Sequence, residues 1–197
     1  MGKWAKSLFG REKFDNVGIV VVGGANAEFE KKMLSLFDDV VFSKDSVYHA
    51  YLVKKDGKYY PFVSHVYGAP AMLDVITEMY DGGCNTVIFV GYAYGGFTDL
   101  DVGSVVVADR SYHFDGVFHA MGLDTKETFP DEALKKKVEE ILKKNGVDFS
   151  NGSNISVPSV TCQLPHNNED YQRIQPLTLE MELAACLTRA KEIGIRA

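Results

Sequence analysis

PLTLEMELAACLTRAKEIG, residues 176–194, sets two carboxylates, Glu180 and Glu182, on either side of Met181 just where an apolar helical pattern begins. Two readings fit it. Acidic residues in a first helical turn are favoured by the helix dipole, by a few tenths to about 1 kcal/mol. A carboxylate can also accept two hydrogen bonds side by side, which suits a cis-diol such as ribose. Residues two apart stand about 200° apart around a helix, so a helical EME offers at most one of them to a single pocket. Spacing alone leaves capping and ligand binding both open.

Upstream, strand-like and helix-like segments alternate. VGIVVVGG (17–24) is a short β-branched run closed by glycines, as buried strands are. NAEFEKKMLSLF follows with Phe29, Met33, Leu34 and Phe37 at helical spacing and Asn26 as an N-cap candidate. HAYLVKKDGKYYPFVSHV (49–66) places two strand patterns around Asp56-Gly57, the dipeptide a tight primed turn prefers. Pro70 opens a helix that Gly82-Gly83 ends. NTVIFVGYAYGG and DVGSVVVAD read as strands, and PDEALKKKVEEILKKNG as an amphipathic helix with Leu134, Val138, Ile141 and Leu142 on its stripe. Residues 163–175 read as a polar loop before the final helix. The pattern predicts an α/β three-layer sandwich, its mixed sheet covered by helices on both faces. Residues 1–16 form an N-terminal extension and 17–197 a single domain.

Composition narrows the function. The 197 residues carry 27 acidic against 21 basic side chains, so no broad cationic surface is available for nucleic acid. No apolar run is long enough to span a bilayer. Three scattered cysteines, Cys84, Cys162 and Cys186, fit a reducing, cytoplasmic setting and neither a disulfide framework nor a zinc motif. The basic N-terminus lacks a signal-peptide core, and Lys6 stands where a myristoylation motif needs Ser or Thr. It reads as a short docking helix or a loose end.

Ligands of open α/β sheets bind beyond the carboxyl ends of strands. Three such ends carry small or polar residues: GGANAE (23–28), GYAYGG (91–96) and the loop after SNISVPSV (153–160). The first is neither a Walker A loop nor GxGxxG. His113 and His119 lack a carboxylate or thiol at ligand spacing, and Ser104, Ser111 and Ser159 lack a GxSxG setting. No metal and no cofactor are expected, and no catalytic residue can be named from spacing.

Taken in order, VVVGGANAE, HVYGAPAMLDVITEMYDGG, VIFVGYAYGG, DVGSVVVAD and LEMELAA resemble the nucleoside phosphorylase and nucleosidase superfamily, from about Val17 to Ala197. The resemblance implies a nucleoside or related N-riboside as ligand, N-glycosidic bond cleavage, phosphate or water as co-substrate, and a homo-oligomer. It gives the ribose to Met181 and Glu182, with Glu180 less direct and Tyr67 lining the sugar. It puts Tyr92, Ala93 and Gly24 in the loops beside base and anion. Two departures accompany it. Glu28 and Phe89 stand where the phosphorylases carry phosphate-binding arginines, and there is no arginine between residues 12 and 109. The family's proton-donating aspartate lies on a strand toward which KEIGIRA leads as the sequence reaches Ala197. Hydrolysis is therefore at least as well supported as phosphorolysis, and the alternative is a catalytically degenerate member serving as a ligand-binding or structural subunit. A generic Rossmann-like nucleotide binder is disfavoured by the missing glycine fingerprint.

Overall fold

The computed structural model describes residues 3–22, 27–97, 100–114, 116–163 and 169–197. Strand β1 (Val17–Val22) lies at the heart of a five-stranded sheet and pairs in parallel on both sides, with β4 (Lys58–Val66) and β5 (Thr86–Gly91). A strand flanked this way is covered on both faces, which explains its unbroken apolar run. Strand β3 (His49–Lys55) joins β4 through Asp56 and Gly57, both at positive φ (50° and 78°) as a primed turn requires. Strand β2 (Asp39–Asp45) pairs with β3 and forms the outer edge, so the first sheet is mixed, as expected.

Alternate residues of these strands face two apolar layers. Val20, Val22 and Val63 pack with helices α1 (Lys3–Phe9), α3 (Gly68–Asp81) and α7 (Leu183–Glu192). Val21, Val53 and Phe62 pack with Phe29, Met33 and Leu34 of α2 (Ala27–Leu34) on the other face. Helix α3 buries Ala69, Met72, Val75, Ile76 and Met79, one stripe at helical spacing. Ala184, Ala185, Cys186 and Ala190 of α7 are also buried, and their small side chains let α3 approach closely. In the N-terminal helix Ala5, Leu8 and Phe9 are buried, the last two in the same core.

The remaining strands form a second five-stranded sheet in the order β6 (Tyr94–Gly95), β10 (Thr178–Glu180), β9 (Phe149–Ser156), β7 (Val105–His113), β8 (Glu127–Thr128). Its long strands are parallel, with His113, Ser156 and Glu180 level at their carboxyl ends. Helix α4 (Val117–Ala120) follows β7, and α5 (Glu132–Lys144) is capped by Asp131, whose carboxylate accepts from the Leu134 N–H at 2.8 Å.

Two expectations are corrected. EME is no helix start: Glu180 ends a strand, and the helix begins at Leu183 with Glu182 as its N-cap. The polar segment before it holds a short helix, α6 (Glu169–Ile174), whose Tyr171 is buried with Ile155, Val157, Leu179 and Met181. No helix among the described residues is long and apolar enough to cross a membrane.

Candidate functional site

Val22, Val66 and Gly91 lie in register at the carboxyl ends of β1, β4 and β5. Tyr67 and Tyr92, the next residues after β4 and β5, therefore leave one rim two strand spacings apart, about 10 Å. Both rings are exposed, and Tyr92 packs against Phe29 with centroids 4.9 Å apart. After Tyr92 and Ala93 the chain crosses to the second sheet, where Tyr94 and Gly95 pair with Leu179 and Thr178. Gly96 passes so close to the Pro176 carbonyl that a Cβ there would clash with it. The crossing thus brings the β5 rim to the strand that delivers EME.

A second link closes the seam from the other side. Gly68 donates its backbone N–H to Glu182 Oε1 at 2.6 Å, joining the end of β4 to the start of α7. Gly68 holds φ at +79°, in the left-handed region where a side chain is strained. Tyr67, Tyr92 and Ala93 are exposed along this seam, whereas Glu182 and Met181 lie buried under it, 4% and 5% exposed, Met181 in the second core. The expectation for Gly24 lies outside the described residues, as does Asn26.

The two carboxylates have separate tasks. Glu180 is buried and saturated with donors: Oε1 accepts from Asn154 at 2.7 Å and from the Ser156 hydroxyl, and Oε2 from the N–H groups of Glu182 and Leu183, both at 2.6 Å. Ser156 in turn accepts the Ala184 N–H at 2.9 Å. Glu180 and Ser156 together satisfy the first amide donors of α7, which no i−4 carbonyl can reach. Burial pushes the Glu180 carboxyl up, and these donors offset part of that.

Glu182 is the N-cap by position but makes no capping hydrogen bond. Relieved of that task, its carboxylate takes the Gly68 amide, and no other residue's side chain among the described residues hydrogen-bonds to it. Burial and the neighbouring Glu180 push its pKa up to about 7, against the pull of the Gly68 and, more weakly, the Met181 backbone donors. A carboxylate has about four lone-pair sites, so Glu182 retains capacity for paired hydroxyl donors.

Other candidates do not converge. His113 is buried and stacked on Phe118 at 3.6 Å, whereas His119 is exposed. Ser111 joins the Asn154 and Ser156 network, and Ser159 caps a short turn. Cys84 and Cys186 are buried free thiols and Cys162 an exposed one. Glu28 pairs with Lys32 at 3.1 Å and Phe89 packs against the core, so neither position presents a cation. The five arginines meet Tyr59 (Arg11), Glu127 (Arg110), Asp170 (Arg173), Thr77 (Arg189) and Thr86 (Arg196), none of them a seam residue. A cleft of about 270 Å³ lined by Asp15, Lys58, Asn85 and Arg196 opens at the opposite, amino-terminal ends of β1 and β5, away from the rim where α/β sheets bind ligands. Spacing overlooked Asn154, Ser156 and Gly68; the alternating polar residues of SNIS were the local sign of the first two.

The phosphorylase superfamily profile matches residues 18–197. No curated protein shows significant similarity. Among solved structures, purine nucleoside phosphorylase from Toxoplasma gondii in complex with immucillin-H is similar at 19% identity and a TM-score of 0.78, covering 94% of this chain and 75% of that one. Uridine phosphorylase from Vibrio fischeri aligns at 23% identity and 0.74, covering 90% and 74%. The 5'-methylthioadenosine/S-adenosyl homocysteine nucleosidase of Campylobacter jejuni aligns at 16% identity and 0.76, covering 91% and 81%.

Proposed function

The chain belongs to the phosphorylase superfamily, and from that premise we propose that it binds a nucleoside or related N-riboside at the seam and hydrolyses its N-glycosidic bond. One observation carries this reading. Glu180 and Ser156 cap α7, leaving the Glu182 carboxylate beside Gly68 with acceptor capacity for the 2′ and 3′ hydroxyls. Tyr67 lines the sugar, and Tyr92 and Ala93 border the base. Ionised Glu182 also stabilises the positive charge that develops on the ribose as the bond to the base stretches. Water attacks the anomeric carbon as the bond to the base breaks, and the proton it loses goes to the departing base, giving free sugar and free base.

Hydrolysis is favoured over phosphorolysis because Glu28 and Phe89 replace the arginines that the family resemblance predicts. An acid repels phosphate, and a ring cannot supply a bidentate fork. The same observation supports a second reading, a member that binds nucleosides without cleaving them. Incubation with purine and pyrimidine nucleosides, with and without phosphate, separates these. Free base appearing without phosphate supports hydrolysis, and release that requires phosphate overturns it. Nucleoside-dependent thermal stabilisation with no base release favours the binding reading.

A further inference from the structure

Beside the seam, three chemistry-bearing side chains converge from separate elements: Glu30 of α2, His49 at the start of β3, and His65 near the end of β4. Glu30 Oε2 lies 3.0 Å from His49 Nδ1 and 3.2 Å from His65 Nδ1. The three ligand-type atoms all fall within 4.8 Å of one another, and the two imidazoles lie with centroids 4.0 Å apart, tilted by 34°. In a tetrahedral zinc site, bonds of about 2.0–2.1 Å set ligand atoms about 3.3 Å apart. We propose that Glu30, His49 and His65 bind one divalent transition-metal ion of the zinc class, with water completing a tetrahedral site.

A supporting shell is already in place. Asp45 Oδ1 lies 2.8 Å from His49 Nε2, which keeps the proton on that nitrogen and turns the Nδ1 lone pair toward the site. The Tyr51 hydroxyl donates to Glu30 Oε1 at 2.9 Å, and the Ser64 hydroxyl donates to Oε2. These bonds fix the carboxylate from both sides. Burial pushes the Glu30 carboxyl up, but hydrogen bonds from Ser64, Tyr51 and His49 outweigh it and hold the group below its usual value. Without an ion, His49 can donate to both Glu30 and Asp45 only as an imidazolium carrying two protons; a metal takes the place of the Nδ1 proton.

The backbone aims His65 into the cluster. Val21 pairs with Ser64 and Val22 with Val66, so His65 is the extra residue of a bulge, with φ at +58°. The bulge turns Ser64 and His65, which an even strand would point to opposite faces, toward the same Glu30 carboxylate. Side-chain exposures of 32% for His49, 26% for His65 and 13% for Glu30 leave a path for the ion and its water. Two imidazoles and one carboxylate suit zinc, cobalt or nickel better than calcium or magnesium, which prefer oxygen alone. An ion there also brings positive charge close to Tyr67 and Gly68, within a span that holds no arginine.

The test is a calorimetric titration of the chelator-treated full chain with zinc, without nucleoside, so that its outcome is independent of the ribose assignment. One ion per chain is expected. Asp45→Asn, at a solvent-exposed position, should weaken binding roughly 10–100-fold without changing the circular dichroism, and His49→Ala or His65→Ala by more than that. Cobalt(II) should give the visible absorption of a tetrahedral complex, lost in both histidine variants. Absence of stoichiometric zinc binding to the wild type overturns the proposal, as does binding that both histidine variants retain.

Discussion

At the scale of single residues, the two carboxylates of EME differ by what surrounds them. Glu180 meets four donors and closes the start of a helix; Glu182 meets the Gly68 amide and borders the seam. Removing Glu180 leaves buried donors without an acceptor, at about 1–3 kcal/mol for each one stranded. Glu180→Ala should therefore lower the urea midpoint by the equivalent of several kcal/mol, and a midpoint near that of the wild type would contradict the capping role. For Glu182 the signature is a pH dependence. Its folded pKa of about 7 lies above its ordinary value of 4.5, so the folded chain holds a proton that the unfolded chain releases. That contribution is full below pH 4.5 and is lost as pH rises through about 7. Measured against Glu182→Gln, wild-type stability should fall between about pH 5 and pH 8; a flat difference would contradict the burial argument. Spacing made both carboxylates visible and only the family resemblance ranked Glu182 above Glu180; the reason for a division of roles was hidden, because Asn154, Ser156 and Gly68 come from other strands and turns.

At the scale of elements, the decisive feature is a strand-to-helix junction where periodicity reads only a helix. Strand β10 has three residues, too few to show alternation, and β9 and β6 hold it in place from outside the local sequence. The β3–β4 hairpin was legible because its turn is specified locally by Asp56 and Gly57. The junction between β4 and α3 depends on Gly68, whose left-handed backbone sets its amide on Glu182. Gly68→Ala should cost about 1–2 kcal/mol in left-handed strain and weaken nucleoside-dependent stabilisation as well. Thermal melts with and without nucleoside check both, and unchanged melts would place Gly68 outside the site. The Glu30, His49 and His65 cluster was invisible at this scale, since its members share no motif and meet only through the β4 bulge.

Across the whole molecule, alternating segments announced the α/β fold, and β1 between two parallel neighbours follows from its apolar run. The division into two sheets was not legible, because it arises where residues after β5 leave one sheet to pair with β10 in the other. The seam between the sheets holds the candidate site. The outer strand β2 leaves Val40 and Val41 in solvent, with Val47 exposed just beyond it. An apolar edge of this kind is suited to covering by a second copy. Sedimentation should accordingly give a multiple of the 21.8 kDa chain mass, and a strictly monomeric species would contradict a homo-oligomer. Whether Glu182 anchors a ribose is decided by the thermal shift of wild type and Glu182→Ala across a ribonucleoside panel. At least one ribonucleoside should stabilise the wild type and leave the variant unmoved. Equal stabilisation of both proteins, or none of the wild type, would contradict it.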